Sequence, residues 1–177
     1  MRGVARCGRA TYNRRVVSRT FCTPGPEATR SLGAALGEHL AAGTLVLLEG
    51  VFGAGKTTFA QGLAAGLGVR GRVSSPSFTL VRQHRGATGR PGFVHVDLYR
   101  LSQPAEVLDL ALEDYLGGDD VIAIEWPDRA GSVAAPDVIE VSLHGLSAHR
   151  SVALSARGPL ACAALDAMAV PEAVVET

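Results

Sequence analysis

Residues 50–58 read Gly-Val-Phe-Gly-Ala-Gly-Lys-Thr-Thr, a glycine, four free positions and then Gly-Lys-Thr. This spacing suits a loop that wraps phosphate. Gly50, Gly53 and Gly55 leave room for the backbone to close around an anion. The amides of the loop, those of Val51, Phe52 and Ala54 included, then point inward beside the positive end of the next helix. Lys56 is placed to reach β- and γ-phosphates as a point charge, and the Thr57 hydroxyl to ligate Mg²⁺. Lys56 is the only lysine in the chain; every other basic residue is arginine. The plainer alternative is a glycine-rich turn that caps a buried strand. The flanks favour phosphate binding: Thr44–Glu49 is a run of β-formers, and Phe59, Leu63 and Leu67 recur at helical spacing.

A phosphate loop works with a carboxylate at the end of a neighbouring strand, which holds Mg²⁺ directly or through water. Asp97, after Phe93–Val96, and Glu125, after Val121–Ile124, both occupy such a position. Glu125 is the preferred metal-side carboxylate because its strand is the more continuously apolar. Asp97 is the candidate for orienting an attacking water or sensing the γ-phosphate. Either could instead be a strand-end acid facing water, and Glu49, beside the loop's own turn, has a structural role. Ser75-Pro76-Ser77 is hydroxyl-rich and lies where phosphate-loop ATPases and GTPases keep a switch segment, although a plain loop is an equal alternative. Trp126, the single tryptophan, follows Glu125 and stands at the lip of the expected crevice, where it would anchor a partner or fill core. His95 is expected to pack within its strand.

These positions need an α/β scaffold to bring them together. The chain has 177 residues, enough for one domain with a sizeable core. A helix is expected over Glu27–Ala42, another from the loop to Leu67, and a third from Pro104 through Leu108, Leu112 and Leu116. Strands are expected at Thr44–Glu49, in the later part of Val73–Val81, which begins as a polar loop, and at Phe93–Leu98, Val121–Glu125, Val138–Leu143 and Ser151–Leu154. Arg15–Cys22 reads as an edge strand. The short connection between Val81 and Phe93 implies an antiparallel pair, so the fold class is a single P-loop α/β domain with a mixed, mostly parallel central sheet flanked by helices. Residues 1–21 read as a basic, disordered leader, 22–157 as the ATPase domain and 158–177 as a peripheral tail.

Formal net charge is zero, yet residues 1–23 hold six arginines and no acid, which leaves the remainder with 11 basic and 17 acidic residues. An acidic body argues against a broad nucleic-acid grip. Three cysteines, Cys7, Cys22 and Cys162, lack metal-ligand spacing, and no apolar run has membrane-spanning length, so a cytoplasmic setting without membrane contact is expected. The arginine-rich start has the composition of a transit peptide but shows no clear amphipathic face, which favours a leader or an overlong start.

Four segments together resemble one family: Gly50–Thr58, Ser75-Pro76-Ser77-Phe78-Thr79-Leu80-Val81, His95-Val96-Asp97-Leu98-Tyr99-Arg100 and Ile124-Glu125-Trp126-Pro127. In this order and spacing they are similar to TsaE (YjeE) proteins, small ATPases of tRNA N6-threonylcarbamoyladenosine synthesis. The resemblance spans roughly residues 22–156. It implies ATP or ADP with Mg²⁺ as cofactors and weak hydrolysis by the protein alone. It also implies TsaD-like and TsaB-like partners, which transfer the threonylcarbamoyl group to tRNA adenosine 37, with tRNA reached only through that complex and ATP turnover resetting it. Carried over by position, residues 50–58 bind nucleotide, Lys56 contacts phosphates, and Thr57 and Glu125 hold Mg²⁺. Asp97 lies near the γ-phosphate, Ser75–Phe78 form the switch, and Trp126 sits beside the site. Lys56, Asp97 and Glu125 are thus the catalytic set. The family loop usually carries Asp-Leu where this chain has Val51-Phe52, and its switch commonly reads Ser-Pro-Thr where this chain ends on Ser77.

Two further readings stay open on sequence alone: a small-molecule kinase built on the same loop, and a non-catalytic module whose docking is gated by nucleotide. No lid-sized insertion rich in arginine supports the kinase. All three readings require Lys56. Lys56→Ala is expected to weaken ATP binding by about 1.5–3 kcal/mol, the usual worth of a charge-assisted hydrogen bond. A calorimetric titration checks this, and unchanged affinity would remove Lys56 from the site.

Overall fold

A computed structural model of the chain describes residues 15–102, 106–107, 110–116, 118–131, 133–145 and 149–177. The strands are β1 (Val16–Thr23), β2 (Leu45–Glu49), β3 (Val81–His84), β4 (Gly92–Asp97), β5 (Asp120–Glu125), β6 (Val138–His144), β7 (Arg150–Arg157) and β8 (Val175–Glu176). The helices are α1 (Pro26–Gly37), α2 (Lys56–Gly66) and α3 (Pro159–Ala167). The eight strands among the described residues form one sheet in the order β3-β4-β5-β2-β6-β7-β1-β8. Its centre, β4-β5-β2-β6, is parallel, and the strands on either side pair antiparallel. The β3–β4 pair is antiparallel, as the short connection requires.

The parallel centre is buried on both faces, which is why β2 and β5 are almost continuously apolar. Alternate residues of β2 serve opposite layers. Val46 and Leu48 face Leu32 and Leu36 of α1 and Phe59 and Leu63 of α2; Leu45 and Leu47 join Leu98, Leu101 and Leu112 on the other side.

The two sequential helices meet backbone to backbone. A Cβ on Gly33 or Gly37 would collide with the Phe59 or Leu63 carbonyl oxygen, and one on Gly62 or Gly66 with that of Arg30 or Ala34. Arg90 joins their ends, donating through Nη2 to the Gly37 and Gly66 carbonyls at 3.0 and 2.9 Å. These are terminal carbonyls that lack an intrahelical donor, and the cation also suits the negative ends of both helices.

The structure departs from the sequence reading at both ends of the chain. Strand β1 lies inside the sheet because β8 covers its outer side, pairing Phe21 with Glu176 and Cys22 with Val175. Arg19, counted with the leader, is bound to the Glu176 carboxylate at 2.6 and 2.7 Å and to the Leu165 and Met168 carbonyls. Residues 158–177 are not a peripheral tail: Ala161 and Leu165 are fully buried, and Cys162 and Ala164 nearly so. An alanine-rich helix carries too weak a contrast between its faces to reveal this by periodicity. Residues 1–14, and with them most of the expected leader, lie outside the described residues. So do Pro104 and Leu108 of the third expected helix, in which Glu106 and Val107 are α-helical and Leu112–Asp114 form a 3₁₀ turn.

Alanine in place of a helical glycine ordinarily gains up to about 1 kcal/mol. At Gly62 the new methyl group meets main chain rather than a movable side chain. Gly62→Ala is therefore expected to lower unfolding stability by about 1–3 kcal/mol, the usual cost of overpacking. Denaturant titration measures it, and a gain would mean that α1 and α2 are not in backbone contact.

Candidate functional site

Strand β2 feeds the loop and α2 leaves it, so the loop amides sit at a helix N-terminus. Gly55 is the residue before α2, with φ 110°, a conformation open to glycine at little cost. At Gly50 a side chain would strike the Leu143 carbonyl of the neighbouring β6, so only glycine lets the loop lie this close to the sheet. From behind, Arg150 of β7 donates Nε to the Ala54 carbonyl at 3.0 Å.

Lys56 is 5% exposed. Its Nζ donates to the Gly50 and Val51 carbonyls at 2.6 and 3.0 Å and stands 3.7 Å from the centre of the Trp126 ring. Burial lowers its pKa, while the carboxylates of Glu125, Asp97 and Asp128 act in the opposite direction. The site thus holds a cation poor in solvent, which an entering phosphate would compensate.

The sheet explains why the two carboxylates belong together. Strand β5 lies between β2 and β4, and the parallel register pairs Leu48 with Glu125 and Asp97 with Glu125. Glu125 is therefore the carboxylate next to the loop, and Asp97 lies one strand further out. Thr57 Oγ1 lies 2.9 and 3.1 Å from the Glu125 carboxylate oxygens. Asp97 Oδ2 accepts hydrogen bonds from the Ser75 and Ser77 hydroxyls, the latter at 2.6 Å, and Oδ1 from the Tyr99 amide at 3.0 Å. The expected switch segment is thus tied to Asp97 through its serines. Both carboxylates are 3% exposed.

A cavity of about 360 Å³ opens between these groups. It is lined by the loop from Phe52 to Thr58 except Ala54, by Ser75, Ser77, Asp97 and Glu125, and by Tyr99 and Trp126. Gly50, Val51 and Ala54 shape the loop without lining the cavity. Trp126 has φ 61° and ψ 52°, a left-handed conformation unusual for a bulky residue. It turns the indole over Lys56 and starts an aromatic column through Tyr99, 5.1 Å away, to Phe52, a further 5.7 Å away and 75% exposed.

Three residues at the site escape the sequence reading in their roles: His95, Tyr99 and Arg150. His95 is fully buried, and its Nε2 is 2.9 Å from Glu125 Oε1. It lies two residues before Asp97, hence on the same face of β4; that period of two was the available signal. The partner strand of the contact could not be read from spacing.

Among the described residues no group of three His, Cys, Asp or Glu side chains forms a metal site by itself. A hydroxyl beside a carboxylate is instead a hard-oxygen donor set that fits Mg²⁺ carried in with phosphate oxygens, which commonly complete its shell. Thr57 and Glu125 could hold it.

The family model for "Threonylcarbamoyl adenosine biosynthesis protein TsaE" matches residues 23–152. A tRNA threonylcarbamoyladenosine biosynthesis protein TsaE from Nostoc sp. is 50% identical over 107 residues, 58% of this chain and 64% of that protein. The protein of the same description from Streptomyces coelicolor is 43% identical over 134 residues, 66% of this chain and 90% of that one. A crystal structure of YdiB from Bacillus subtilis superposes with a TM-score of 0.72 at 24% identity, covering 88% of this chain and 97% of that chain, which establishes the likeness of fold. With a phosphate loop facing two strand-end carboxylates and the family match spanning most of its length, the chain belongs to the TsaE family of tRNA threonylcarbamoyladenosine biosynthesis proteins.

Proposed function

We propose that the protein binds ATP with Mg²⁺ in the cavity between α2 and the ends of β4 and β5, and hydrolyses it slowly to ADP and phosphate. The observation that carries this reading is the Thr57–Glu125 contact, which ties the phosphate loop to the strand-end carboxylate at 2.9 Å. A triphosphate in the loop would draw the Lys56 ammonium toward its terminal oxygens. The metal would supply charge neutralisation between phosphate oxygens, held by Thr57 and Glu125. Asp97 would orient the attacking water or sense the terminal phosphate, and its hold on Ser75 and Ser77 is the route by which the switch segment would respond. Positioning and electrostatics suffice for slow phosphoryl transfer to water.

The turnover serves tRNA N6-threonylcarbamoyladenosine synthesis in the cytoplasm. TsaD-like and TsaB-like proteins would be the direct partners, reset by ATP hydrolysis, and tRNA would be met through them. The domain that does this extends through α3, since that helix completes the core.

Hydrolysis measured alone and with TsaD-like and TsaB-like proteins tests the reading. Turnover should be weak alone and altered when both partners are present; an unchanged rate would contradict the coupling. Thr57→Ala should bring the ATP affinities measured with Mg²⁺ and with chelator closer together, because one metal ligand is gone. An undiminished difference would remove Thr57 from the metal site. Glu125→Gln should abolish hydrolysis; if partner function survives that loss, nucleotide serves docking alone.

A further inference from the structure

Asp97 and Glu125 are register neighbours on parallel strands, and both are almost completely buried. Each needs donors in place of water. Asp97 has three: the hydroxyls of Ser75 and Ser77 and the amide of Tyr99. Glu125 has the single Thr57 hydroxyl proton, placed between its two oxygens, and the His95 ring.

The protonated nitrogen of His95 follows from its surroundings. Its Nδ1 is buried with no hydrogen-bond partner among the described residues. A proton there would leave a buried N–H unpaired and set the Nε2 lone pair against a carboxylate oxygen 2.9 Å away. With the proton on Nε2, the ring donates to Glu125 Oε1 and leaves only an acceptor unpaired. Phe93 backs the imidazole, its ring centre 5.8 Å away. Oε1 then engages both His95 and Thr57, whereas Oε2 has only the longer Thr57 contact at 3.1 Å.

We propose that His95 is a positioning residue for the metal side of the site: its Nε2–H fixes the rotation of the Glu125 carboxylate, so that Oε2 and the Thr57 hydroxyl form a prearranged oxygen pair for Mg²⁺ arriving with nucleotide. This inference rests on the Mg²⁺–ATP reading above. Without the ring donor, Glu125 is steered only by one rotatable hydroxyl, beside a second carboxylate that repels it. Groups that orient a metal ligand in this way commonly set metal affinity by about 10–100-fold.

ATP binding to the full chain, measured by calorimetry across a series of Mg²⁺ concentrations and in chelator, tests the role in His95→Gln, His95→Asn and His95→Leu. The glutamine amide reaches the place of Nε2, the asparagine amide ends near that of Nδ1, and leucine donates nothing. The Mg²⁺ concentration at half-effect should rise about 10-fold or more for asparagine and leucine, and stay within about 3-fold of wild type for glutamine. ATP affinity in chelator should be alike in all four proteins, which separates loss of metal positioning from loss of the fold. The asparagine–glutamine pair decides the matter even if the leucine protein is unfolded. Equal half-effect concentrations for asparagine and glutamine would overturn the role of His95 while leaving the Mg²⁺–ATP reading intact. A wild-type protein whose ATP affinity ignores Mg²⁺ would overturn that reading, and this inference with it.

Discussion

One nearly buried ammonium group faces two nearly buried carboxylates, and the rest of the molecule is arranged to make that tolerable. Charges removed from water are costly unless paired and hydrogen-bonded. Here each has its own donors or acceptors: loop carbonyls and an indole face for Lys56, a histidine and a threonine for Glu125, two serines and an amide for Asp97. The charges lie where the ends of three parallel strands meet the beginning of one helix. The glycine contacts between α1 and α2 matter to chemistry for this reason. They fix the helix that carries Lys56 and Thr57 against its neighbour at backbone distance, and hence its position over the sheet.

Parallel pairing also gives the two acids different neighbours. Because β5 lies between β2 and β4, Glu125 is within reach of Thr57, while Asp97 is one strand farther out and within reach of the serine segment. One carboxylate is thus linked to the glycine loop, the other to the Ser75–Ser77 segment. Trp126, held in a left-handed conformation directly after Glu125, connects the same point to an aromatic column ending at Phe52. Phe52 is 75% exposed and lines the cavity, so the chain presents an aromatic surface at its mouth.

Much of the site was legible in the sequence because its chemistry is local. Gly50–Thr57 announces itself by spacing, and Asp97 and Glu125 by closing apolar runs. What escaped is non-local or low in contrast. The His95–Glu125 contact depends on which strands are neighbours and in what register, and a histidine inside an apolar strand looks the same whether it fills space or holds a ligand. The bond from Arg150 to the loop spans 96 residues. Helix α3 reads as tail in the sequence because alanine marks neither face, and β8 is two residues long, too short for any alternation to show. Arg15–Cys22 reads as an edge strand in the sequence, whereas its place inside the sheet depends on a partner more than 150 residues later.

A crystal structure grown with a non-hydrolysable ATP analogue and Mg²⁺ tests the central claim most directly. The account predicts the terminal phosphate against the Lys56 ammonium and within the loop amides, with the metal bonded to the Thr57 hydroxyl on the side of Glu125. Nucleotide bound elsewhere on the molecule, or the loop closed on its own carbonyls with no phosphate inside at saturating analogue, would contradict it.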